Sequence, residues 1–385
     1  MNQNYRFRLP SYFTESVRRQ IGEMYASVAI ADFAMAVVAI FEPIFLYAVL
    51  HYSIPQILLL NGLAYFVYIF AIPWGAKISA RFGYAHGILF SIPFQILFWV
   101  FLYAGQETPA LLIAGFILYG IEKSLYWPAF HASVSRFARD EQRGREFSVL
   151  YAIVNFVSIL GPLAGGVLSQ YFGVRLTFMV AAGIYSLSFI PLFMYKEVFI
   201  PKPYQFSETW EFYKTLPKKS LGYMGFGEEM LLLNMWPIYI FAVVRGYEKI
   251  GILVTVATFI ATVITLYIGK ITDQYSKRIL LRMGALFYSL FWFFRITATS
   301  IAAVFFADSF SRTSKDLLFV PLSTLTYERA EDSHHTIAYA VFFEQSLAIG
   351  KFTAAILAAI LFYFTGSFML LFILAGLFSL LYMFI

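Results

Sequence analysis

Twelve ionisable side chains lie inside long apolar stretches of this 385-residue sequence. They are Asp32, Glu42, Glu122, Lys123, Glu228, Glu229, Asp308, Arg312, Lys315, Asp316, Glu344 and Lys351. Burying a charge costs free energy unless a partner or a polar cavity compensates it, so each of these side chains needs one or the other. Acids and bases in such surroundings bind charged solutes, exchange protons or hold helices together.

The densest group of charges lies between residues 308 and 316. Asp308, Arg312 and Lys315 recur at positions i, i+4 and i+7, and Asp316 follows Arg312 by four residues. In a helix these spacings put acid and base on one face, so the segment can form its own ion pairs. Two roles stay open, because the charges either line a cavity or only join helices.

Acids outnumber bases in this set by eight to four. Glu228 and Glu229 have no base near them in the sequence, and an unpaired carboxylate in apolar surroundings can take up a proton near neutral pH. We therefore predict that one of them is a proton site, with Asp32 as the next candidate. The alternative is that hydroxyl groups or water cap these carboxylates, which then take no part in coupling.

The composition identifies the elements that must carry these residues. With 60% hydrophobic residues, 13% charged residues and a mean hydropathy of +0.72, the chain is too apolar for a water-soluble protein of its length. Its apolar stretches run to about 20 residues, as in membrane-spanning helices, rather than about ten, as in barrel strands. The sequence therefore predicts an all-α polytopic membrane protein.

Residue types that are missing exclude several chemistries. The chain has no cysteine, which excludes disulfides, thiolate metal sites and cysteine nucleophiles. His334 and His335 lack metal-ligand spacing, so we predict no metal and no other cofactor. The first 20 residues are polar and do not form a secretory signal, so we expect the first span to be retained. The spans hold no nucleophile–base or metal set, and we therefore predict that the protein is not an enzyme.

Apolar runs interrupted by charge predict twelve membrane spans. They cover residues 24–50, 54–76, 86–104, 109–131, 148–171, 174–195, 220–244, 250–268, 280–298, 300–324, 336–363 and 367–385. The N-terminal segment and the loops after even-numbered spans carry 20 of the 28 Lys and Arg residues, with Arg282 at the start of the ninth span included. By the positive-inside rule both termini are cytoplasmic, and we expect an integral protein of the bacterial inner membrane.

The longest connection divides the spans into six and six. It predicts three units: a first half of residues 1–195, a cytoplasmic linker of residues 196–219 and a second half of residues 220–385. Within the linker, "FSETWEFYKTLP" predicts a short amphipathic helix on the membrane surface, because Phe206, Trp210 and Tyr213 share one helical face.

The two halves repeat each other. "EPIFLYAVL" (42–50) matches "WPIYIFAVV" (236–244) at an offset of 194 residues, and "AKISARFG" (76–83) matches "GKITDQYS" (269–276) at an offset of 193. Pro128 matches Pro321 at the same offset of 193. Three matches in order indicate a duplicated bundle, and duplicated transporters place their substrate site between the repeats.

At this point the sequence resembles the major facilitator superfamily over essentially its whole length. The loop signature of that family, Gly-x-Leu-x-Asp-Arg-x-Gly-Arg-Lys, is matched conservatively by Gly269, Ile271, Asp273, Lys277 and Arg278. The resemblance implies twelve transmembrane helices in two pseudo-symmetric six-helix bundles. We predict that Gly269, Asp273 and Arg278 form a cytoplasmic latch, governed chiefly by the second half because Ala80 replaces the Asp in the first.

A second family signature, Gly-Pro-x-x-Gly-Gly, is present as "GPLAGG" at residues 161–166. Its small residues predict a close helix crossing, and we assign Gly161, Pro162, Gly165 and Gly166 a role in conformational change. This signature is associated mainly with antiporters. Drug antiporters of the family carry an Arg early in helix 4, however, and Phe116 stands at that position. The direction of transport therefore stays open.

The resemblance also implies that helices 1, 4, 7 and 10 line a central cavity, and the charged spans here are 1, 4, 7, 10 and 11. Under the repeat, Lys315 corresponds to Glu122 and Asp316 to Lys123. Equivalent positions approach each other near a pseudo-two-fold axis, so we predict the pairs Glu122–Lys315 and Lys123–Asp316 across the cavity.

These features predict a secondary active transporter that moves a small polar, cationic or zwitterionic solute by alternating access and is coupled to protons. The expected partners are the solute, protons and the lipid bilayer, without nucleic acid, and we expect a monomer. A lipid flippase and an uncoupled facilitator of the same fold stay open as alternatives. The predicted cavity residues are Asp32, Glu122, Lys123, Glu228, Glu229, Asp308, Arg312, Lys315 and Asp316.

Overall fold

A computed structural model describes residues 15–105, 108–137, 156–157, 159–194, 203–274, 276–332 and 335–385. The regular structure in these ranges is helical. The helices of the first half are α1 (Glu15–Val38), α2 (Phe41–Ile44), α3 (Ile54–Phe82), α4 (Tyr84–Ala104), α5 (Pro109–Phe137), α6 (Gly161–Phe172), α7 (Val174–Leu187) and α8 (Phe189–Met194). The linker and the second half contain α9 (Phe206–Thr215), α10 (Pro217–Tyr223), α11 (Gly227–Val244), α12 (Tyr247–Gln274), α13 (Lys277–Phe294), α14 (Ile301–Asp332), α15 (Thr336–Thr365) and α16 (Phe368–Leu380).

The helices confirm the predicted all-α membrane architecture. Within the described ranges, nine helices are long and apolar enough to cross a membrane, and Phe368–Phe384 is a shorter apolar helix. Helix α14 is also long enough, at 32 residues, but its four internal charges make it less apolar. Of the predicted fifth span, residues 148–155 lie outside the described part of the chain, and Gly161–Phe172 is helical.

Two glycine turns define the ends of the bundle. Gly83 joins α3 to α4 with a φ of 109°, and Gly173 joins α6 to α7 with a φ of 85°. A side chain strongly disfavours such positive φ angles, so glycine allows the chain to reverse there within one residue. We refer to the Gly83 end and the Gly173 end of the bundle. The Gly83 end is the one that the distribution of Lys and Arg predicts to be cytoplasmic.

Four helices extend beyond the predicted spans at the Gly83 end. Helices α3, α5, α12 and α14 run on to Phe82, Phe137, Gln274 and Asp332, whereas the apolar runs stop at 76, 131, 268 and 324. A hydropathy pattern follows only the part of a helix that crosses hydrocarbon, and the backbone hydrogen bonds continue into the polar interface. The segment "GKITDQYSKR" (269–278), which contains the loop signature, is therefore helical over 269–274 and 277–278.

The repeat is visible in the helix boundaries. Helices α3, α4 and α5 begin at Ile54, Tyr84 and Pro109, and helices α12, α13 and α14 begin at Tyr247, Lys277 and Ile301. The offsets are 193, 193 and 192 residues, which is the register that the sequence matches predict. Equivalent helices therefore occupy equivalent places in the two halves of the chain.

The linker forms the predicted amphipathic helix, α9, and only Tyr213 of the predicted face packs on the protein, where its ring contacts Phe342. Thr209 Oγ1 donates a hydrogen bond to the carbonyl of Ala338 at 3.2 Å, and the Phe212 ring contacts Tyr339. Phe206 and Trp210 of the predicted apolar face remain exposed. The helix is thus docked on α15, and its exposed aromatic residues are available to the membrane interface.

Candidate functional site

A buried acid–base cluster joins three helices of the second half. Glu229 on α11 accepts hydrogen bonds from two lysines, with 2.9 Å from Lys315 Nζ to Oε1 and 2.5 Å from Lys351 Nζ to Oε2. The lysines come from α14 and α15. Because one carboxylate holds two ammonium groups, the three helices are electrostatically linked in the interior.

Glu228 is fully buried beside this cluster and has partners of its own. Tyr288 Oη donates a hydrogen bond to Oε2 at 2.6 Å, Tyr382 Oη donates to Oε1 at 3.3 Å, and Lys315 Nζ lies 3.4 Å from Oε1. Glu228 and Glu229 have no base near them in the sequence, but helix packing supplies bases to both. Their bases lie 86 or more residues away along the chain and are brought close only by helix packing.

The cluster reaches the first half through an aromatic ring. Lys351 Nζ lies 5.1 Å from the ring centroid of Tyr65, and Lys123 Nζ of the first half lies 5.8 Å from the same centroid. Lys123 Nζ is also 4.0 Å from the ring centroid of Tyr119, which stacks on Phe98. An aromatic face attracts a cation, so the Tyr65 ring is within reach of two lysines, one from each half.

Three carboxylates of the first half have no such partner. In the described part of the chain, Asp32, Glu42 and Glu122 make neither a hydrogen bond nor an ion pair through their side chains. Glu42 and Glu122 are nevertheless close enough to Lys123 to interact with its charge. The first half therefore contributes acceptors that a cation, a donor group of a solute or a proton can occupy.

The predicted pairs between equivalent positions are not formed. Lys315 contacts Glu228 and Glu229 instead of Glu122, and Asp316 accepts a hydrogen bond from Thr265 Oγ1 instead of contacting Lys123. The second half supplies carboxylates on α11 next to Lys315, so this lysine is neutralised within its own half. Pseudo-symmetry relates the positions of these residues but does not determine their partners.

The predicted ion pair within span 10 is present. Arg312 Nε donates to Asp308 Oδ2 at 2.7 Å, and Trp236 Nε1 donates to Oδ1 at 2.8 Å. Sequence reasoning missed the neighbouring Arg295, which is fully buried with its Cζ 4.5 Å and 4.0 Å from the ring centroids of Trp236 and Trp292. Its position at the end of an apolar run resembled a loop residue, and only the packing shows that two indoles enclose it.

A second polar cluster joins the two halves near the Gly83 end, and sequence reasoning missed it. His131 Nε2 on α5 lies 2.6 Å from Glu344 Oε1 on α15, and its Nδ1 lies 2.9 Å from Tyr327 Oη on α14. Tyr68 Oη on α3 donates to Glu344 Oε2 at 2.7 Å. Glu344 was recognisable as a charge inside an apolar run, whereas a single histidine in a span gave no comparable signal.

The residues of "GPLAGG" lie at two close helix crossings. A Cβ built on Gly165 would be 1.9 Å from the Val37 carbonyl oxygen of α1, and one on Gly161 would be 2.3 Å from Ala36 Cβ. Gly166 faces α12 of the second half, where a Cβ would be 2.7 Å from the Tyr247 carbonyl oxygen. In return, the carbonyl oxygen of Pro162 would be 2.4 Å from a Cβ on Gly251. The segment thus packs against both halves near the Gly173 end.

The predicted latch residues lie around the junction of α12 and α13. Gly269 and Asp273 belong to the last turns of α12, where the side chains are outside the described part, and Arg278 is exposed in the first turn of α13. Next to Arg278, the Lys277 ammonium group pairs with Glu328 of α14. The described residues contain no group of three or more His, Asp or Glu side chains placed to hold a metal ion.

The comparison with known families agrees with this architecture. A sequence profile of the Major Facilitator Superfamily matches residues 24–343. The chain therefore belongs to this superfamily, whose members are transporters with twelve helices, and the resemblance and fold class predicted from the sequence are confirmed.

Two relatives are similar over shorter segments. Over 80 residues the chain is 34% identical to a Na(+), Li(+), K(+)/H(+) antiporter of Planococcus maritimus. This matched segment covers 21% of this chain and 18% of that protein. Over 120 residues it is 33% identical to YqjV, an uncharacterised MFS-type transporter of Bacillus subtilis (strain 168). This second segment covers 30% of this chain and 27% of the relative. The matched segments thus span less than a third of either relative.

Proposed function

We propose that this protein is a proton-coupled secondary active transporter that moves a small cationic or zwitterionic solute by alternating access, with its Gly83 end and both termini in the cytoplasm. The observation that carries the proposal is the buried acid–base cluster shared by both halves, in which Lys351 of the second half and Lys123 of the first half both lie near the Tyr65 ring. A site between two repeats is exposed to either side when the halves rock against each other.

The charge of the site favours a cation. Glu42, Glu122, Glu228 and Glu229 provide four carboxylates against the three ammonium groups of Lys123, Lys315 and Lys351. With all groups ionised, one negative charge is left over in a region where unbalanced charge is expensive. One proton or one monovalent cation restores neutrality, and binding of one disfavours binding of the other.

Mutual exclusion of a proton and a cation at one site is the basis of antiport. The relative from Planococcus maritimus is named as an antiporter that exchanges Na+, Li+ or K+ for H+. For a zwitterionic solute, the ammonium group would face Glu42 and Glu122, and the carboxylate would face Lys123. Exchange of a cationic solute for protons is therefore the mode of transport that we propose.

The experiment uses the purified protein in proteoliposomes that contain a pH-sensitive dye. An imposed pH gradient is applied, and Na+, Li+, K+, small organic ammonium ions and amino acids are added in turn. We expect at least one cationic or zwitterionic compound to release protons in exchange for its own uptake. Uptake that ignores the pH gradient would identify a facilitator, and movement of labelled phospholipid without any solute response would identify a flippase; either result contradicts the proposal.

Asp32 tests the coupling step. Its carboxylate is half-buried on α1 and has no hydrogen-bond or ion-pair partner among the described residues, so a bound proton displaces no partner. We expect Asp32→Asn to lose uptake driven by a pH gradient while it retains exchange of labelled for unlabelled solute. The matched control is Glu211→Gln, since Glu211 is an exposed acid of the linker helix. Unchanged gradient-driven uptake in Asp32→Asn would remove Asp32 as a coupling residue.

A further inference from the structure

The cluster of His131, Glu344, Tyr68 and Tyr327 is separate from the central site and takes two residues from each half. It lies near the Gly83 end. Gly87, in the first turn of α4 at that end, packs on Ala129 of α5, two residues before His131: a Cβ built on Gly87 would be 2.8 Å from Ala129 Cβ. His131 and Glu344 are both buried, so their interaction is poorly screened by water. Separation of the halves at this end has to break it.

The hydrogen bonds of the cluster can be satisfied in two protonation states. In neutral His131 the Nε2–H group donates to Glu344, and Nδ1 accepts from the Tyr327 hydroxyl. When a proton binds Nδ1, both ring nitrogens donate, and the Tyr327 hydroxyl turns to become the acceptor. One proton enters from solvent and stays on the imidazole, and His131 keeps its contacts with Glu344 and Tyr327. The second state adds a buried ion pair between imidazolium and carboxylate.

Three helices besides α5 supply titratable groups that contact His131 or its partner Glu344. Tyr327 belongs to α14, Glu344 to α15 and Tyr68 to α3, and Glu122 of α5 is close enough to Tyr68 to interact electrostatically with it. The described residues place no Lys or Arg in an ion pair with Glu344. His131 is therefore the base that neutralises Glu344, and Tyr68 and Glu122 connect the cluster to the central site.

We propose that the His131–Glu344 pair is a proton-binding site that locks the Gly83 end closed when it is protonated. Loss of the proton replaces the ion pair of His131 and Glu344 by a hydrogen bond between a neutral ring and the carboxylate, which weakens the contact between the halves. Opening of this end is then linked to proton release. The role of this pair in coupling proton release to transport rests on the proposed function. Closure of the Gly83 end by the protonated pair does not require a solute.

Distances between spin labels test the closure directly. The chain has no cysteine, so labels attach only at introduced positions. Phe82→Cys and Ser276→Cys place one exposed label on each half at the Gly83 end. The measurement gives the populations of molecules with a short and with a long distance between the labels. In lipid nanodiscs without solute, we expect the ratio of the short-distance to the long-distance population to rise about tenfold from pH 8 to pH 5.5, because the closed state gains a buried charge-assisted hydrogen bond.

Two variants and a matched control identify the proton site. His131→Gln and Glu344→Gln each remove one charge of the pair, and we expect both to abolish the pH response of the distance while thermal unfolding shows a folded protein. The control is His335→Gln, which removes a second His–Glu pair: Nδ1 of His335 lies 3.3 Å from Glu208 Oε1, and the His335 side chain is 54% exposed. It should leave the pH response unchanged.

The outcomes separate this inference from the proposed function. A wild-type distance that ignores pH, a pH response that survives in His131→Gln, or one that disappears in His335→Gln would each overturn the inference. None of these results depends on transport. In proteoliposomes, His131→Gln should reduce gradient-driven exchange at least tenfold, whereas a failure of every solute to drive proton release contradicts only the proposed function.

Discussion

At the scale of single residues, partners decide what a buried charge can do. Glu229 and Glu228 have acidic neighbours in the sequence and basic neighbours in space, because Lys315 and Lys351 contact them from α14 and α15. A carboxylate held by two lysines is structurally committed, whereas Asp32 has no such contact in the described chain. We therefore propose a structural role for Glu229 and proton exchange at Asp32 and at the His131–Glu344 pair.

Lys315 provides a stability test of this division. Lys315→Met leaves Glu228 without its base and Glu229 with one of its two, and removal of one partner of a buried ion pair typically costs about 3–5 kcal/mol. We expect a clear decrease in the temperature of thermal unfolding in detergent. The double variant Lys315→Met/Glu228→Gln neutralises the carboxylate that Lys315→Met leaves without a base and keeps the Glu229–Lys351 pair, so we expect it to recover part of the loss.

Additive effects of the two changes would contradict this interpretation, because residues that share an ion pair are coupled in a double-mutant cycle. Lys214→Met is the matched control, since Lys214 forms an exposed pair with Glu211 on α9 at 3.6 Å. An exposed pair of this kind contributes about 0–1 kcal/mol, so the unfolding temperature of the control should hardly change.

At the scale of helices, close packing depends on glycine at a few crossings. Gly75 allows α3 to approach the Ser124 carbonyl of α5, where a Cβ would be 1.8 Å from the oxygen, and Gly165 does the same between α6 and α1. Without a hydrophobic effect between helices inside a membrane, small residues at such crossings supply the packing that holds the helices together. The site residues on α1 and α5 are positioned through these contacts.

Gly165 and Gly183 form a matched pair for a test of this packing. Gly165→Ala places a methyl group 1.9 Å from the Val37 carbonyl oxygen, so α6 and α1 must move apart. Overpacking of this kind typically costs about 1–3 kcal/mol. Gly183 lies inside α7 with no atom within 4 Å of a built Cβ, and Gly183→Ala should be neutral or stabilising by up to about 1 kcal/mol. Thermal unfolding of both variants distinguishes the cases, and equal effects would refute the role of the crossing.

At the scale of the whole molecule, the halves meet near both ends of the bundle. Near the Gly173 end, Gly166 and Pro162 of α6 pack on α12, and Tyr171 Oη donates to Glu248 at 3.3 Å. Near the Gly83 end, the pair of His131 and Glu344 joins α5 to α15. The alternating access that we propose requires that one set of contacts opens while the other stays closed, so we propose that the cycle is controlled at the two ends.

The latch at the junction of α12 and α13 remains a prediction. Asp273 lies in the last turn of α12, where the helix dipole disfavours a carboxylate, so we expect it to be held by a neighbouring helix N-terminus or an arginine such as Arg278. Asp273→Asn should slow solute-driven proton release at least tenfold without lowering the unfolding temperature. Normal transport by this variant would show that the latch does not control the cycle, and Glu211→Gln again serves as the exposed control.

The sequence by itself determined the fold class, the helices and the repeat. Apolar runs of about 20 residues and conserved spacing between the halves are local properties of the chain, because hydrocarbon accepts only segments whose backbone is satisfied internally. Helix starts at Ile54 and Tyr247 therefore follow the offset read from the sequence. The close helix crossing at "GPLAGG" could also be predicted from the sequence, because the spacing of small residues along one helix is a local property of the chain.

Only the tertiary structure decided which charges meet. Lys315 contacts Glu229 rather than Glu122, and His131 contacts Glu344 across 213 residues of chain. Partners of this kind come from the rotation and depth of packed helices, which a periodic apolar pattern does not encode. The sequence therefore predicts that charges are buried, and the packing of the two halves determines whether each charge is paired, stacked on an aromatic ring or left without a partner.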